Sequence, residues 1–217
     1  MLGFGISERT VLRWMWKAPR DSEPGKRWAA LLSNHREAAI AAMDFFTVPT
    51  LHFGVLSCFF VIAHNRRQML HLNVTKHPTS EWVMQQLREA FAYDSAAKYL
   101  IFNRGTNFIE DVIDTVKILG IQPKRTCFRS PWQNGVAERW IGSCRRDLLD
   151  HVIVVNERHL KRLMNEYVHY YHEDRTHLAL AKETPAGRET GMRPVNGCEA
   201  VSMPRLGGLY HRHDLAA

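Results

Sequence analysis

The chain has 217 residues and 45% of them are hydrophobic, which is enough for one sizeable folded domain and excludes a disordered chain. Lysine and arginine outnumber aspartate and glutamate by 29 to 22, and the resulting net charge of +7 favours an anionic partner, most commonly nucleic acid. Four cysteines without a C-x-x-C pair indicate neither a disulfide framework nor a zinc site, and the apolar runs are too short to cross a bilayer, so we expect a soluble cytoplasmic protein.

The first 35 residues are predicted to hold a short helix and a polar linker. Residues 7–17 read SERTVLRWMWK, in which Ser7 is a suitable N-cap. This helix resembles the second, recognition helix of a helix-turn-helix whose first helix is missing. A frayed amphipathic terminus is the equal alternative. We therefore expect a partial helix-turn-helix-like segment and a linker over residues 1–35.

Hydrophobic periodicity predicts an α/β core that begins near residue 36. Three apolar strands come first, and their short connections favour an antiparallel meander. Helices and short strands then alternate, and two long amphipathic helices follow. The predicted strands are 39–48, 51–64, 69–75, 98–102 and 121–127, and the predicted helices are 79–92, 107–119, one from about 133, and 156–172. This order describes a five-stranded mixed sheet with helices on both faces.

Proline, glycine and arginine dominate from Thr184 onward. Residues 191–217 are therefore predicted as a mostly irregular C-terminal tail with room for one small hairpin. We expect His211 and His213, near the end of this tail, to be unordered. The tyrosines of the predicted helix 156–172 share its apolar face, which predicts that they belong to the core.

Three polar residues stand at informative places in this order. Asp44 is inside the first strand, Asn103 ends the fourth, and Glu138 is near the start of the helix after the fifth. The first and fourth strands are expected to lie side by side, with that helix passing over their ends. A charged residue in a buried strand is costly unless it is paired, hydrated or metal-bound. Acids placed in this way suit two hard cations with oxygen ligands, as phosphoryl transfer needs.

The same residues lie in runs that resemble a known family. N-R-G-T-N-F begins at Asn103, S-P-W-Q-N-G-V-A-E-R ends at Arg139, and Y-H-E-D-R-T-H-L-A-L begins at Tyr171. Together with Asp44 these runs resemble the RNase H-like catalytic core of DDE transposases and retroviral-type integrases, and more narrowly that of bacterial insertion-sequence transposases. The resemblance covers residues 36–190, which it identifies as an integrase catalytic core.

The resemblance implies metal-dependent strand transfer on double-stranded DNA, both transposon ends and target, with Mg²⁺ or Mn²⁺ as cofactor. Asp44, Asn103 and Glu138 would be the catalytic and metal-binding residues. It also implies a homo-oligomer in a bacterial cytoplasm, associated with the nucleoid when bound to DNA, and no membrane partner. The expected DNA contacts are Lys124, Arg125, Arg129, Gln133, Asn134, Arg139, Arg145 and Arg146. Trp132 is expected to pack against the protein rather than to stack on a base.

Asn103 departs from the family pattern, which has an aspartate there in an F-D-R-G run. Asparagine keeps one carbonyl acceptor but loses the charge and half of the ligand capacity. We therefore expect a chain that folds and binds DNA, with a weakened two-metal site and impaired chemistry. Two alternatives stay open: a non-catalytic DNA-binding or dimerising protein derived from a transposase, and an RNase H-like nuclease.

Overall fold

The chain folds in the predicted order of strands and helices. The computed structural model describes residues 40–92, 97–103, 110–127, 130–188 and 200–215. The expected helix-turn-helix-like segment over residues 1–35 lies outside these residues, and so does Arg129. Within the described ranges, none of the helices is both long enough and apolar enough to cross a membrane.

A five-stranded mixed sheet lies at the centre, with the strand order β3-β2-β1-β4-β5. Its strands are β1 (Ile40–Pro49), β2 (Val55–Ala63), β3 (Met69–Thr75), β4 (Tyr99–Phe102) and β5 (Gln122–Arg125). β2 pairs antiparallel with both β1 and β3, whereas β4 runs parallel to β1 and β5. The structure thus confirms the mixed sheet and the predicted adjacency of the first and fourth strands.

Four α-helices in the described part of the chain cover the sheet. They are α1 (Ser80–Ala90), α2 (Glu110–Ile118), α3 (Gly135–Asp147) and α4 (Glu157–Glu173), and a 3-10 turn at Pro131–Asn134 leads into α3. Thr79 caps α1 by accepting a hydrogen bond from the Trp82 amide, and Asn156 caps α4 by accepting one from the His159 amide. These caps explain why both helices start within one residue of the predicted position.

Side-chain alternation along β1 builds a separate core on each face of the sheet. Ala41 and Met43 face α1 and α2, where they pack among buried residues of neighbouring strands and both helices. This cluster also contains Phe59, Val61, Val83, Leu87, Phe91, Leu100, Phe102, Val112, Val116 and Ile121. Burial of each large apolar side chain contributes roughly 1.5–3 kcal/mol, so this core fixes the positions of β1 and β4.

An aromatic cluster joins the opposite face to α3 and α4. The Trp140 ring centroid lies 4.4 Å from that of Phe60, 5.9 Å from that of Phe46 and 6.2 Å from that of Tyr167. Tyr167 and Tyr171 are buried, which confirms the expectation that the tyrosine face of the last helix belongs to the core. Trp140 is the anchor that holds α3 over β1, next to the candidate site.

The second strand is shorter than predicted, because residues 50–54 form a tight turn. The Thr50 hydroxyl both donates to the Gly54 carbonyl and accepts from the Gly54 amide, and the Phe53 amide donates to the Thr50 carbonyl. Phe53 takes a left-handed conformation with φ of 58°. The apolar residues Leu51 and Phe53 continue the sequence pattern of a strand, although both side chains are exposed.

The C-terminal tail contains an ordered hairpin, formed by β6 (Ala200–Arg205) and β7 (Tyr210–Leu215). His211 and His213 lie within β7, so the expectation that they are unordered was wrong. The hairpin is held by contacts with α4 that sequence periodicity does not report: the rings of Tyr170 and Tyr210 stack with centroids 5.0 Å apart.

Asp174, directly after α4, is the ionic anchor of the hairpin. Its side chain is only 4% exposed and receives Arg205 Nε at 2.6 Å and Arg212 Nη1 at 3.3 Å. Arg188 Nη1 lies 3.8 Å from the same carboxylate. One buried acid is thus compensated by three cations, which ties the tail to the end of α4.

Candidate active site

Asp44 lies in the middle of β1 on the face that α3 covers, and it is only 7% exposed. Its Oδ1 accepts a hydrogen bond from the Phe45 amide at 2.8 Å. Its Oδ2 accepts two side-chain amide hydrogen bonds, from Asn103 Nδ2 at 2.9 Å and from Asn134 Nδ2 at 3.2 Å. Both carboxylate oxygens therefore have protein donors, which offset part of the cost of burying this acid.

Asn103 reaches Asp44 because β4 is parallel to β1. Ala42 is paired with Ile101, so the residue that follows β4 comes level with Asp44. The Asn103 Oδ1 accepts a hydrogen bond from the Thr126 hydroxyl at 3.3 Å, while its Nδ2 points to Asp44. The amide nitrogen therefore occupies the side on which the family pattern has a carboxylate.

Asn134 and Gln133 face inward, which corrects the expectation that they reach DNA. Asn134 is fully buried and also donates to the Met43 carbonyl at 3.3 Å. Gln133 is 2% exposed, and its Oε1 accepts from the Cys127 amide at 2.6 Å. Among the residues described, Asn134 Oδ1 and Gln133 Nε2 have no hydrogen-bond partner. Asn134 therefore holds the start of α3 against β1, whereas Gln133 ties it to the segment that follows β5.

The position of Asn134 in the sequence could have indicated that its side chain has a role inside the protein. It directly precedes α3, where an asparagine side chain usually caps the helix. The structure gives it no capping hydrogen bond, because its amide donates to Asp44 instead. Asn134 was predicted only as a DNA contact, and its role as a donor to Asp44 was not predicted.

Glu138 lies in the first turn of α3 and is exposed. Burial raises the pKa of Asp44 to about 6, and the negative charge of Glu138 adds to this rise. The hydrogen bonds from Phe45, Asn134 and Asn103 act in the opposite direction and lower that pKa. The structure therefore brings Asp44 and Glu138 within electrostatic range of each other and places Asn103 in direct contact with Asp44.

The residues as they stand do not fit two divalent cations. Hard cations need several oxygen ligands, and carboxylates supply most of them in proteins. Asn103 turns its nitrogen toward Asp44, and an amide nitrogen is a donor that does not bind a cation. Across the described ranges, no group of three His, Cys, Asp or Glu side chains is arranged to hold a metal ion. Asp44 and Glu138 remain as the two acids of the site.

Cationic side chains continue from the site along α3. Arg139, Arg145 and Arg146 are exposed. Arg145 Nη2 donates to the Thr47 carbonyl at 3.2 Å, and its guanidinium lies 5.7 Å from the Phe46 ring centroid. This contact orients Arg145 along β1. Arg139 and Arg146 are seven residues apart and share one side of the helix, whereas Arg145 lies on the side of Glu138, two turns further along.

On β5, Lys124 is half-buried with Nζ 5.3 Å from the Tyr99 ring centroid, and Arg125 is exposed. Trp132 is 61% exposed, which contradicts the expectation that it packs against the protein.

DNA contact by Lys124, Arg125 and the α3 arginines remains a prediction.

The run that begins at Tyr171 has a structural role. Arg175 Nε donates to Asp147 Oδ2 at 2.8 Å, and the Tyr167 hydroxyl donates to the same oxygen at 3.1 Å. Arg175 Nη2 lies 3.4 Å from the Ser143 hydroxyl. This mostly buried network ties the end of α4 to the last turns of α3. It thereby supports the helix that carries Glu138.

Comparisons with known proteins identify similarity to integrase cores in sequence and in fold. A family model described as an integrase core domain matches residues 119–185, which include Glu138 and the run from Tyr171 but neither Asp44 nor Asn103. No curated protein matches the sequence.

Several solved structures share the fold. The catalytic domain of the Mos1 mariner transposase matches with a TM-score of 0.57 and 12% identity over 78% of this chain and 85% of its own. A chain of the simian T-cell lymphotropic virus intasome matches with a TM-score of 0.56 and 13% identity over 82% of this chain and 66% of its own. The HTLV-2 integrase catalytic core domain in complex with magnesium matches with a TM-score of 0.53 and 11% identity over 68% and 93%. These likenesses show that the chain has the RNase H-like integrase and transposase fold.

Proposed function

We propose that this chain is the DNA-binding catalytic core of a bacterial insertion-sequence type transposase, with strand transfer impaired at Asn103. Two supports carry the general function: the integrase core match and a fold shared with integrase and transposase catalytic domains. The single observation behind the impairment is the hydrogen bond from Asn103 Nδ2 to Asp44 Oδ2 at 2.9 Å.

Strand transfer of this class uses Mg²⁺ or Mn²⁺, which acids at positions 44, 103 and 138 would hold and which would supply charge stabilisation to the attacking and leaving oxygens. In this chain the second ligand position offers a proton donor to Asp44 in place of a third negative charge. Asp44 and Glu138 remain as acids, and the α3 arginines are available for phosphate contacts. We therefore assign DNA binding to the chain as it stands and efficient chemistry only to an Asn103→Asp variant.

The test is a strand-transfer and end-nicking assay with Mg²⁺ and with Mn²⁺ on DNA ends that flank the element of this chain. Wild type is compared with Asn103→Asp, and the double variant Asn103→Asp/Glu138→Gln is the inactive control. A gel-shift at matched concentration establishes that all three bind DNA equally. We expect product from Asn103→Asp alone. Equal activity in wild type and Asn103→Asp would refute the role given to position 103.

A second candidate function is a non-catalytic DNA-binding protein derived from a transposase. The observation that favours it is the full set of protein donors on both oxygens of Asp44. This candidate predicts that Asn103→Asp binds DNA but stays inactive with both cations. In that case the protein would act by occupying DNA ends, which competition with an active transposase in the same assay would reveal.

A further inference from the structure

The segment over residues 177–187, which follows α4, is bound to the turn between β2 and β3. We call this segment the strap. In that turn, Arg66 donates from Nε to the Pro185 carbonyl at 2.9 Å and from Nη2 to the Thr184 carbonyl at 2.9 Å. The same Nη2 lies 2.8 Å from Glu183 Oε2. One arginine thus holds three consecutive residues of the strap.

The first part of the strap is a loop that closes on the backbone of His177. The His177 amide donates to the Glu183 carbonyl at 3.0 Å. The His177 carbonyl accepts from the amides of Leu180 at 3.0 Å and Lys182 at 2.9 Å. Ala181 and Lys182 have φ of 54° and 70°, which is left-handed backbone that residues with a side chain seldom adopt. Two such residues in succession are strained, so the loop stays closed only while the contacts of His177 hold it.

The side chain of His177 is buried but incompletely hydrogen-bonded. It is 5% exposed, and its ring meets the Tyr171 ring on α4 edge to face, with centroids 4.8 Å apart. Its Nε2 is buried and has no hydrogen-bond partner in the part of the chain that the structure describes. A neutral imidazole can leave this nitrogen without a proton, whereas an imidazolium carries a proton on both nitrogens. Protonation would therefore place a charged donor without an acceptor inside the fold.

The groups that surround His177 favour its neutral form. Burial lowers the pKa of His177 from 6.5 to about 4, and the positive charges of Arg175 and of Arg67, in the β2–β3 turn, add to this fall. Asp147 on α3 acts in the opposite direction, but its carboxylate is paired with Arg175 at 2.8 Å. Burial raises the pKa of Tyr171 to about 12, so this neighbour stays uncharged. A proton on His177 would thus face two cations and one acid that is already paired.

We propose that the strap is a pH-sensitive latch, which is closed while His177 is neutral and is released when His177 takes up a proton. Above pH 6.5 the ring is neutral in the closed and in the released strap, so the strap stays closed. As the pH falls from 6.5 toward 4, a released His177 binds a proton that the closed form does not, and the equilibrium moves toward release. Between pH 7 and pH 5 the opening equilibrium should increase by at least about tenfold.

Release of the strap would affect the candidate site through α4. The Ala186 amide donates to the His172 carbonyl at 3.1 Å, which binds the strap to the last turn of α4. Arg175, just before the strap, joins this end of α4 to Asp147 on α3. A released strap therefore loosens the end of α4 that supports α3, the helix that carries Glu138. The latch makes the support of that helix dependent on pH.

Hydrogen exchange of the full chain at pH 7 and pH 5, corrected for the intrinsic rate at each pH, reports opening of the strap. Wild type is compared with His177→Phe, which keeps an aromatic contact with Tyr171 but cannot take up a proton. His77→Phe is the matched control, because His77 is exposed. His64→Phe is the second comparison. His64 lies in the β2–β3 turn, its Nε2 also lacks a partner among the described residues, and burial lowers its pKa to about 4.

In wild type and in His77→Phe, the protection of strap amides should fall at least about tenfold from pH 7 to pH 5, while amides of β1 and β4 lose none. Strap protection in His177→Phe should be the same at both values of pH. A strap in His177→Phe that remains as sensitive to pH as in wild type would overturn the proposal. Loss of this sensitivity in His64→Phe but not in His177→Phe would assign the latch to His64 and would also overturn it.

An NMR titration of His177 in the wild-type chain needs no variant, and it keeps the test open if His177→Phe does not fold. We expect His177 to titrate well below its ordinary pKa of 6.5. Titration at 6.5, or exchange that rises equally in β1 and in the strap, would show that no latch exists. Neither measurement involves DNA or metal, so failure of this proposal is distinct from failure of the proposed function.

Discussion

Asn103 donates its amide to the Oδ2 of Asp44 at 2.9 Å, so the second position of the site stabilises the first as a hydrogen-bonded acid. A carboxylate at position 103 would instead meet a like charge at the same distance. Two carboxylates that share a site cannot both ionise without a cation between them. The asparagine thus binds metal less well than an aspartate would, but it makes the metal-free site more stable.

Asn103→Asp should therefore lower the free energy of unfolding by about 1–3 kcal/mol without divalent cations, and Mg²⁺ should restore part of the loss. Urea unfolding with and without Mg²⁺ measures both effects. Asn73→Asp on β3 is a control, since it also removes an amide donor, here one to Gln86 Oε1, which is a neutral acceptor. If the unfolding free energy of Asn103→Asp equals that of wild type and does not change with Mg²⁺, this prediction is wrong.

Asp44→Asn should stabilise the protein at pH 7. The folded pKa of Asp44 is about 6, above its ordinary value of 3.8, so the folded state binds the proton more tightly. The contribution of Asp44 to stability is complete below pH 3.8 and is lost as the pH rises through 6. At pH 7 this loss is roughly 3 kcal/mol. The stability advantage of the variant should grow between pH 4 and pH 7 in thermal or urea unfolding. A constant difference across that range would show that Asp44 titrates normally.

Asn134→Ala should separate the structural role of the buried amide from contact with DNA. It removes donors to Asp44 and to the Met43 carbonyl, so we expect a loss of about 1–2 kcal/mol in unfolding free energy. DNA affinity of the folded variant should not change. Arg139→Ala should have the opposite effects. Its unfolding free energy should not change, its DNA affinity should fall, and the slope of log binding constant against log salt concentration should decrease in magnitude by about 1. Weaker DNA binding by the folded Asn134→Ala variant would instead support the sequence-based prediction that Asn134 contacts DNA.

Arg175→Ala should be the most destabilising of these changes. It removes the Arg175 donor at 2.8 Å and leaves the mostly buried Asp147 carboxylate with the hydroxyls of Tyr167 and Tyr210. Removal of one partner from a buried pair costs about 3–5 kcal/mol, and partial exposure of this pair places the expected loss near 2–4 kcal/mol. Arg175→Lys should recover part of it. A loss below about 1 kcal/mol in urea unfolding would mean that the network is not what holds α4 to α3.

Asp174→Asn should release the C-terminal hairpin while the core stays folded. The substitution removes the carboxylate that Arg188, Arg205 and Arg212 share, and of these Arg188 and Arg212 keep an ion pair with Asp214. Hydrogen exchange should then rise over 200–215, and trypsin should cut after the freed arginines, whereas amides of β1 and β4 stay protected. Exchange that rises equally in β1 would show that the hairpin and the sheet unfold together.

The core was predictable because its signals are local. Apolar runs and helical stripes set the strands and helices, and the order of strands placed Asp44 beside the end of β4. The turn at Phe53 was misread because its apolar side chains continue the strand pattern although they are exposed. The ordered hairpin depends on Asp174 and on stacking between Tyr170 and Tyr210, which are tertiary contacts without a periodic signature.

The contact between Asp44 and Asn103 was predictable, but the direction of the amides around it was not. Register of β1 against β4 was enough to bring Asn103 to Asp44. The direction of each amide depends on Thr126, on the Met43 carbonyl and on the approach of α3. Those are properties of the packed structure, and they turned Asn134 from an expected DNA contact into a donor to the buried acid.

The two amide donors of Asp44 come from positions 59 and 90 residues further along the chain. During synthesis β1 and β2 therefore leave the ribosome long before either donor exists. Contacts of such separation form late, because closing the intervening chain costs entropy before any bond is made. A nascent chain that ends just before Asn134 contains Asn103 but lacks the second amide donor of Asp44. The complete site can thus form only after the ribosome has translated the chain through α3.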